Sequence, residues 1–153
     1  MKKLTFILVF LSSISFAQAI NFNLKNLREV KIEIDDPLFL ISPAAKSNLI
    51  DNVKIKLAGV GIKENEKSSA TLQMKLFAIK SAGLVNDRVW LSIRIIENAK
   101  IKRGSTLINS EVLSYQNNSF QIIENVNYEK TCSDIFLNSL ILEFLTSWLN
   151  DNK

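Results

Sequence analysis

The sequence predicts an α+β fold: a two-layer sandwich in which a four-stranded, mainly antiparallel sheet carries two helices on one face. Three observations support this. Several segments alternate apolar and polar residues with period two. Two others repeat apolar residues at helical spacing. Their order along the chain is β-α-β-β-β-α, which is the pattern of helices layered on an antiparallel sheet.

The first strand is read over 28–35, "REVKIEID", where Val30, Ile32 and Ile34 face one way and Lys31, Glu33 and Asp35 the other. Ser42-Pro43 then supplies a hydroxyl N-cap and a proline preset for the first helical turn. The helix over 43–58 comes next, with Leu49, Val53 and Leu57 recurring at its inner face. Its exit, "LAGVGIK", places Gly59 where a left-handed C-cap is wanted, and Gly61 where the chain must turn. A phosphate-cradling loop needs glycines between a strand and a following helix. Here the helix comes first, so these glycines read as a helix stop.

Residues 70–80 alternate again, and "SAGLVND" reads as a hairpin turn into a long strand over 88–102. "RGS" turns the chain into a fourth strand over 106–116, while "NNSFQII" is ambiguous between strand and loop. "TCSDIFLNSLILEFLTSWLNDN" closes the chain as a helix capped by Thr131 or Ser133, with Ile135, Phe136, Leu140, Ile141, Phe144, Leu145 and Trp148 on one wide apolar stripe. Burying such side chains contributes about 1.5–3 kcal/mol each, so this helix must lie on a sheet or another protein.

The amino terminus, "MKKLTFILVFLSSISFAQA", combines two lysines, a short apolar run and an Ala-Gln-Ala site. Those are the parts of a secretory signal peptide, and the run is shorter than the roughly 20 residues of a membrane span. The expectation is a signal peptide over 1–19, a single domain over 20–153, no stable span after cleavage, and a periplasmic or secreted protein. The chain carries 19 lysines and arginines against 15 acids. Without Lys2 and Lys3 the net charge falls near +2, not the balance of a nucleic-acid-binding protein. The charge is uneven: residues 88–103 hold five cations and only Glu97, whereas residues 104–153 are net acidic. Cys132 is the sole cysteine, so no intrachain disulfide forms; among Tyr128, Ile135 and Phe136 it reads as a small core residue.

The export signal, the "LAGVGI" helix exit, the three-strand meander and the closing "FLTSWLNDN" resemble a loose group of small exported bacterial proteins of unassigned function. The element order is also similar to that of the lipopolysaccharide-assembly lipoprotein and of the amino-terminal domain of the Tol–Pal translocation protein. The chain lacks the lipidation cysteine of the former. The resemblance implies binding of other proteins or amphipathic ligands and carries over no catalytic residue.

Histidine is absent, which removes Ser-His-Asp and Cys-His catalysis and His-ligated zinc. No catalytic residue, cofactor or metal site is expected. Asp35 and Asp36 read as turn acids, since neighbours on a strand face opposite ways. The candidate partner-binding residues are Trp90, Arg94, Phe77, Lys75 and Arg88, gathered with Ile79 on the second sheet face if the registers match. That face is either covered by loops or open to an amphipathic or anionic ligand. The expected function is a non-enzymatic accessory protein binding a protein or envelope component. The alternatives are a small envelope hydrolase or lyase using Asp or Glu, and an inhibitor or immunity-type protein that blocks an exported enzyme.

Overall fold

The computed structural model describes residues 20–21, 23–79, 86–124 and 128–153. The signal-peptide reading and most of the "SAGLVND" turn lie outside them. The described strands are β1 (Ile20–Asn21), β2 (Glu29–Asp35), β3 (Lys63–Glu64), β4 (Ala70–Ile79), β5 (Asn86–Arg103) and β6 (Thr106–Glu124). The helices are α1 (Pro43–Gly59) and a closing helix, α2, over Tyr128–Asp151.

The α+β class holds, and the sheet corrects the finer expectation. Its order is β1-β6-β5-β4-β2-β3, six strands with two-residue strands at both edges. It is also mixed: β2 runs parallel to β4, with Ile32 opposite Leu72 and Ile34 opposite Met74. The cause is the connection. β2, α1 and β4 form a crossover unit, and a helix-length connection lets two neighbouring strands run the same way. The remaining long pairs, β4 with β5 and β5 with β6, are antiparallel. "NNSFQII" is strand, so β6 extends eight residues past the expected end, paired with β5 as far as Glu124 opposite Asn86. A bulge at Ser114 shifts the register between Ile95 and Ile96, and its hydroxyl donates to Glu97. Beyond Glu97 the β5–β6 hairpin continues as a two-stranded arm that turns at Gly104, where φ is +62°.

Both helices supply one continuous buried cluster. Leu49, Val53 and Leu57 of α1 meet Leu72, Met74 and Leu76 of β4 and Leu91, Ile93 and Ile95 of β5 in that cluster, each almost wholly buried. α1 is capped as read: the Ser42 hydroxyl accepts the Ala45 N–H at 3.2 Å. Its exit differs by two residues. Gly59 is still helical, and Gly61 takes the positive φ, +89°. The Gly61 N–H donates to the Ala58 carbonyl and the Ile62 N–H to that of Leu57, each at 3.0 Å. This paired closure is a Schellman motif, and it needs its left-handed residue one position after the cap residue, Val60.

The closing helix begins at Tyr128, ahead of the expected caps Thr131 and Ser133, which are helical. It contains a π turn at Phe136–Leu140. Buried residues 132, 136 and 140 are spaced by four, wider than an α turn, and one wider turn brings Ile141, Phe144 and Trp148 back onto the sheet. By length and hydropathy this helix could cross a membrane, but its apolar stripe is buried in the core. Its end explains the "WLNDN" motif. The Trp148 indole N–H donates to the Leu27 carbonyl at 2.9 Å, and the Asp151 carboxylate accepts the Leu24 N–H at 2.8 Å. The Asn152 amide donates to the carbonyls of Leu24 and Trp148 and accepts the Asn26 N–H. These bonds clamp the segment that leads into β2.

Candidate functional site

The sheet face turned away from the buried cluster is the candidate site, and the registers assemble it row by row. Side chains two residues apart on a strand share a face. Phe77 lies opposite Trp90, and Trp90 opposite Phe120, so three strands contribute one aromatic row. The row beside it is Ile79, Arg88 and Ile122. On the other side come Lys75, Ser92 and Asn118, then Gln73, Arg94 and Gln116. All five sequence-predicted residues therefore fall on this face, within four adjacent rows. Phe120 and Ile122 went unread because their segment looked equally like loop. Period-two continuation of "YQNNSFQII" was the signal that could have found them.

No described element packs over the aromatic end. Phe77 is 41% exposed, Ile79 56%, Phe120 58% and Ile122 67%, which makes a contiguous apolar patch larger than scattered surface residues produce. Among the described residues no ring–ring contact joins the three aromatics; the described pair is Tyr115 with Phe144 in the core. The polar end is closer-packed. Lys75 is ion-paired with Asp35 at 2.9 Å, both about one-third exposed, so part of its charge is already matched. The ion pairs among the described residues include neither Arg88 nor Arg94. The Arg94 Nε and the Ser92 hydroxyl are buried without a partner. A guanidinium flanked by the Gln73 and Gln116 amides, two rows from the aromatic residues, is equipped to receive an anionic or polar group.

At the end of the sheet where β4 finishes, a second group of reactive types gathers: Asp36, Asp87, Tyr128 and Cys132. Asp36 and Cys132 are buried, and so is Asp87. The Asp36 carboxylate accepts the N–H groups of Leu40 and Ile41 at 2.9 and 3.2 Å and pairs with Lys46 at 2.9 Å. Burial, and then the Asp36 charge, push the Cys132 thiol up to about 12. Burial also raises the Tyr128 phenol, aided by Cys132, Asp87 and Asp36. Thiol and phenol therefore stay protonated at neutral pH, and Asp36 is committed to the loop it holds. That loop presents Phe39, 85% exposed, at a left-handed φ of 52°. Among the described residues no group of three or more acids and cysteines is placed to hold a metal ion. An open, polar cleft of about 570 Å³ lies between Lys25, Arg28, Glu29 and Lys67 at the opposite end of the sheet.

No protein-family model and no curated protein sequence matches the chain. Among solved structures, the chain is similar to a PelC dodecamer from Paraburkholderia phytofirmans, with a TM-score of 0.47 and 10% identity over 89% of this chain and 96% of that one. A PelC variant dodecamer from the same organism gives 0.45 and 11%, over 86% and 94%. An uncharacterised protein gives 0.40 and 10%, over 84% and 93%. At TM-scores below 0.5 nothing is carried from these structures to this chain.

Proposed function

We propose that this is a non-enzymatic accessory protein of the periplasm or the extracellular space, and that it binds an envelope component through the open face of its sheet. The observation that carries the reading is the uncovered aromatic row Phe77–Trp90–Phe120 beside Arg88 and Arg94. A sheet face left this apolar in water is stabilised by what it meets, and the neighbouring guanidinium groups favour an anionic or polar partner. With both helices on one face of the sheet, the other is free for contact. The signal-like leader supports export.

The test is capture from solubilised envelope by the immobilised protein, compared with the variant carrying Trp90→Ala and Arg94→Ala. Loss of capture with unchanged circular dichroism is the expected result. Equal capture by both proteins removes this face as the binding surface.

A further inference from the structure

The distribution of charge and exposed apolar surface names a class of partner, on the basis of the open-face reading above. The face that carries the aromatic row stays net cationic beyond Arg88 and Arg94, although Glu33, Asp35 and Glu111 also stand on it, the first two paired with Lys31 and Lys75. β5 runs without a bulge of its own, so Lys100 and Lys102 stay in phase with Trp90 and Arg94 along the arm. On β6, Leu107 stands opposite Lys102 and is 65% exposed. On the other side the closing helix is acidic, with exposed Glu129, Asp134 and Glu143 against Lys130, whereas α1 beside it is basic, with Lys46, Lys54 and Lys56 against Asp51. The cations and the exposed aromatic residues therefore coincide on the sheet side, while the helix side is close to neutral. Six of the large exposed apolar residues also gather at one end: Phe77, Ile79, Phe120 and Ile122 on the face, with Leu38 and Phe39 in the loop that leaves β2 at that end. The surface is an open strip three strands wide, about 10 Å across and roughly 20 Å long. Such a strip cannot enclose a free small molecule, and it matches a flat surface.

We infer that the sheet face docks peripherally on an anionic phospholipid surface. Trp90, Phe120 and Ile122 enter the interface, while Arg88, Arg94 and the arm lysines meet lipid phosphates. Tryptophan is suited to the boundary between acyl chains and headgroups, where its ring is buried and its N–H stays in polar surroundings. Each basic side chain near an anionic leaflet strengthens binding roughly fivefold.

The experiment is flotation of the purified protein with vesicles of phosphatidylcholine alone and of phosphatidylcholine with phosphatidylglycerol, read together with tryptophan emission. The protein has two tryptophans. Trp148 is buried with its N–H bonded, so a blue shift, and quenching by brominated lipid, reports Trp90. The expected result is binding to the anionic vesicles alone, weakened by salt. Arg88→Gln with Arg94→Gln should lower it roughly 25-fold, and Trp90→Ala with Phe120→Ser should abolish most of the binding in flotation. No flotation with anionic vesicles, together with a Trp90 shift on adding a soluble acidic peptide, overturns membrane docking and leaves the open-face reading standing. Anionic vesicle binding that survives Trp90→Ala with Phe120→Ser unchanged overturns both.

Discussion

Replacing Asp36 by alanine should destabilise the protein by about 3–4 kcal/mol, and the structure says where that comes from. The Asp36 side chain is wholly buried and does three things: it accepts the Ile41 N–H, accepts the Leu40 N–H and pairs with Lys46. Ile41 is 2% exposed, so its N–H would lose its partner far from water, at a cost of about 1–3 kcal/mol. Leu40 is half-buried, and its N–H reaches water more easily, adding about 1 kcal/mol or less. Lys46, whose side chain is 25% exposed, loses a carboxylate that is itself out of solvent, which is the costly way to break an ion pair. Asp36→Asn keeps one acceptor and should cost about half as much. Asp35→Ala is the internal control, because its bridge to Lys75 is exposed on both sides and is worth at most about 1 kcal/mol. Urea denaturation at pH 7 measures all three. With a slope of about 2 kcal/mol per molar, the alanine variant at position 36 should lower the midpoint by nearly 2 M at unchanged slope. A shift under about 0.5 M, or one no larger than that of Asp35→Ala, refutes the assignment of Asp36 as the anchor of the 36–42 loop.

The geometry sets two further outcomes. Gly61→Ala should cost about 1 kcal/mol or more, because φ is +89° there. Gly59→Ala should be neutral or slightly stabilising, since that glycine is helical and nothing lies within 4 Å of an added Cβ; thermal melts of the two variants check the contrast. Stability should also fall in alkali. Cys132 rises from 9.0 to about 12 and Tyr115 from 10.0 to about 12, both chiefly through burial. The folded state keeps protons that the unfolded chain releases, so this contribution is whole below about pH 9 and is lost as pH climbs towards 12. At pH 10.5 Cys132 alone accounts for about 2 kcal/mol. Cys132→Ala should flatten the decline between pH 9 and 10.5 in urea titrations, and an equally steep decline in that variant counts against the assignment.

Much of the fold was legible because its signals are local. Ser42-Pro43 starts α1 whatever packs on it, since cap and preset φ act within one turn. The alternation in β2, β4 and β5, and the apolar stripe of the closing helix, reflect which side of each element is dry. The five candidate residues shared a face for the same reason: Phe77 and Lys75 are two apart, and so are Arg88 and Trp90. The early start of the closing helix and its π turn were harder to see, because the spacing of 132, 136 and 140 passes for an ordinary helical stripe.

The sequence by itself therefore determined the kind and order of the main elements, and which side of each would be buried. Only the tertiary structure decided that β2 lies parallel beside β4, that Phe120 completes the row with Phe77 and Trp90, and that Asp36 is enclosed while its neighbour Asp35 stays at the surface. The reason is range. Periodicity and caps are set by residues within a turn or two of each other, whereas strand partners, register and the burial of a carboxylate depend on residues distant in the chain.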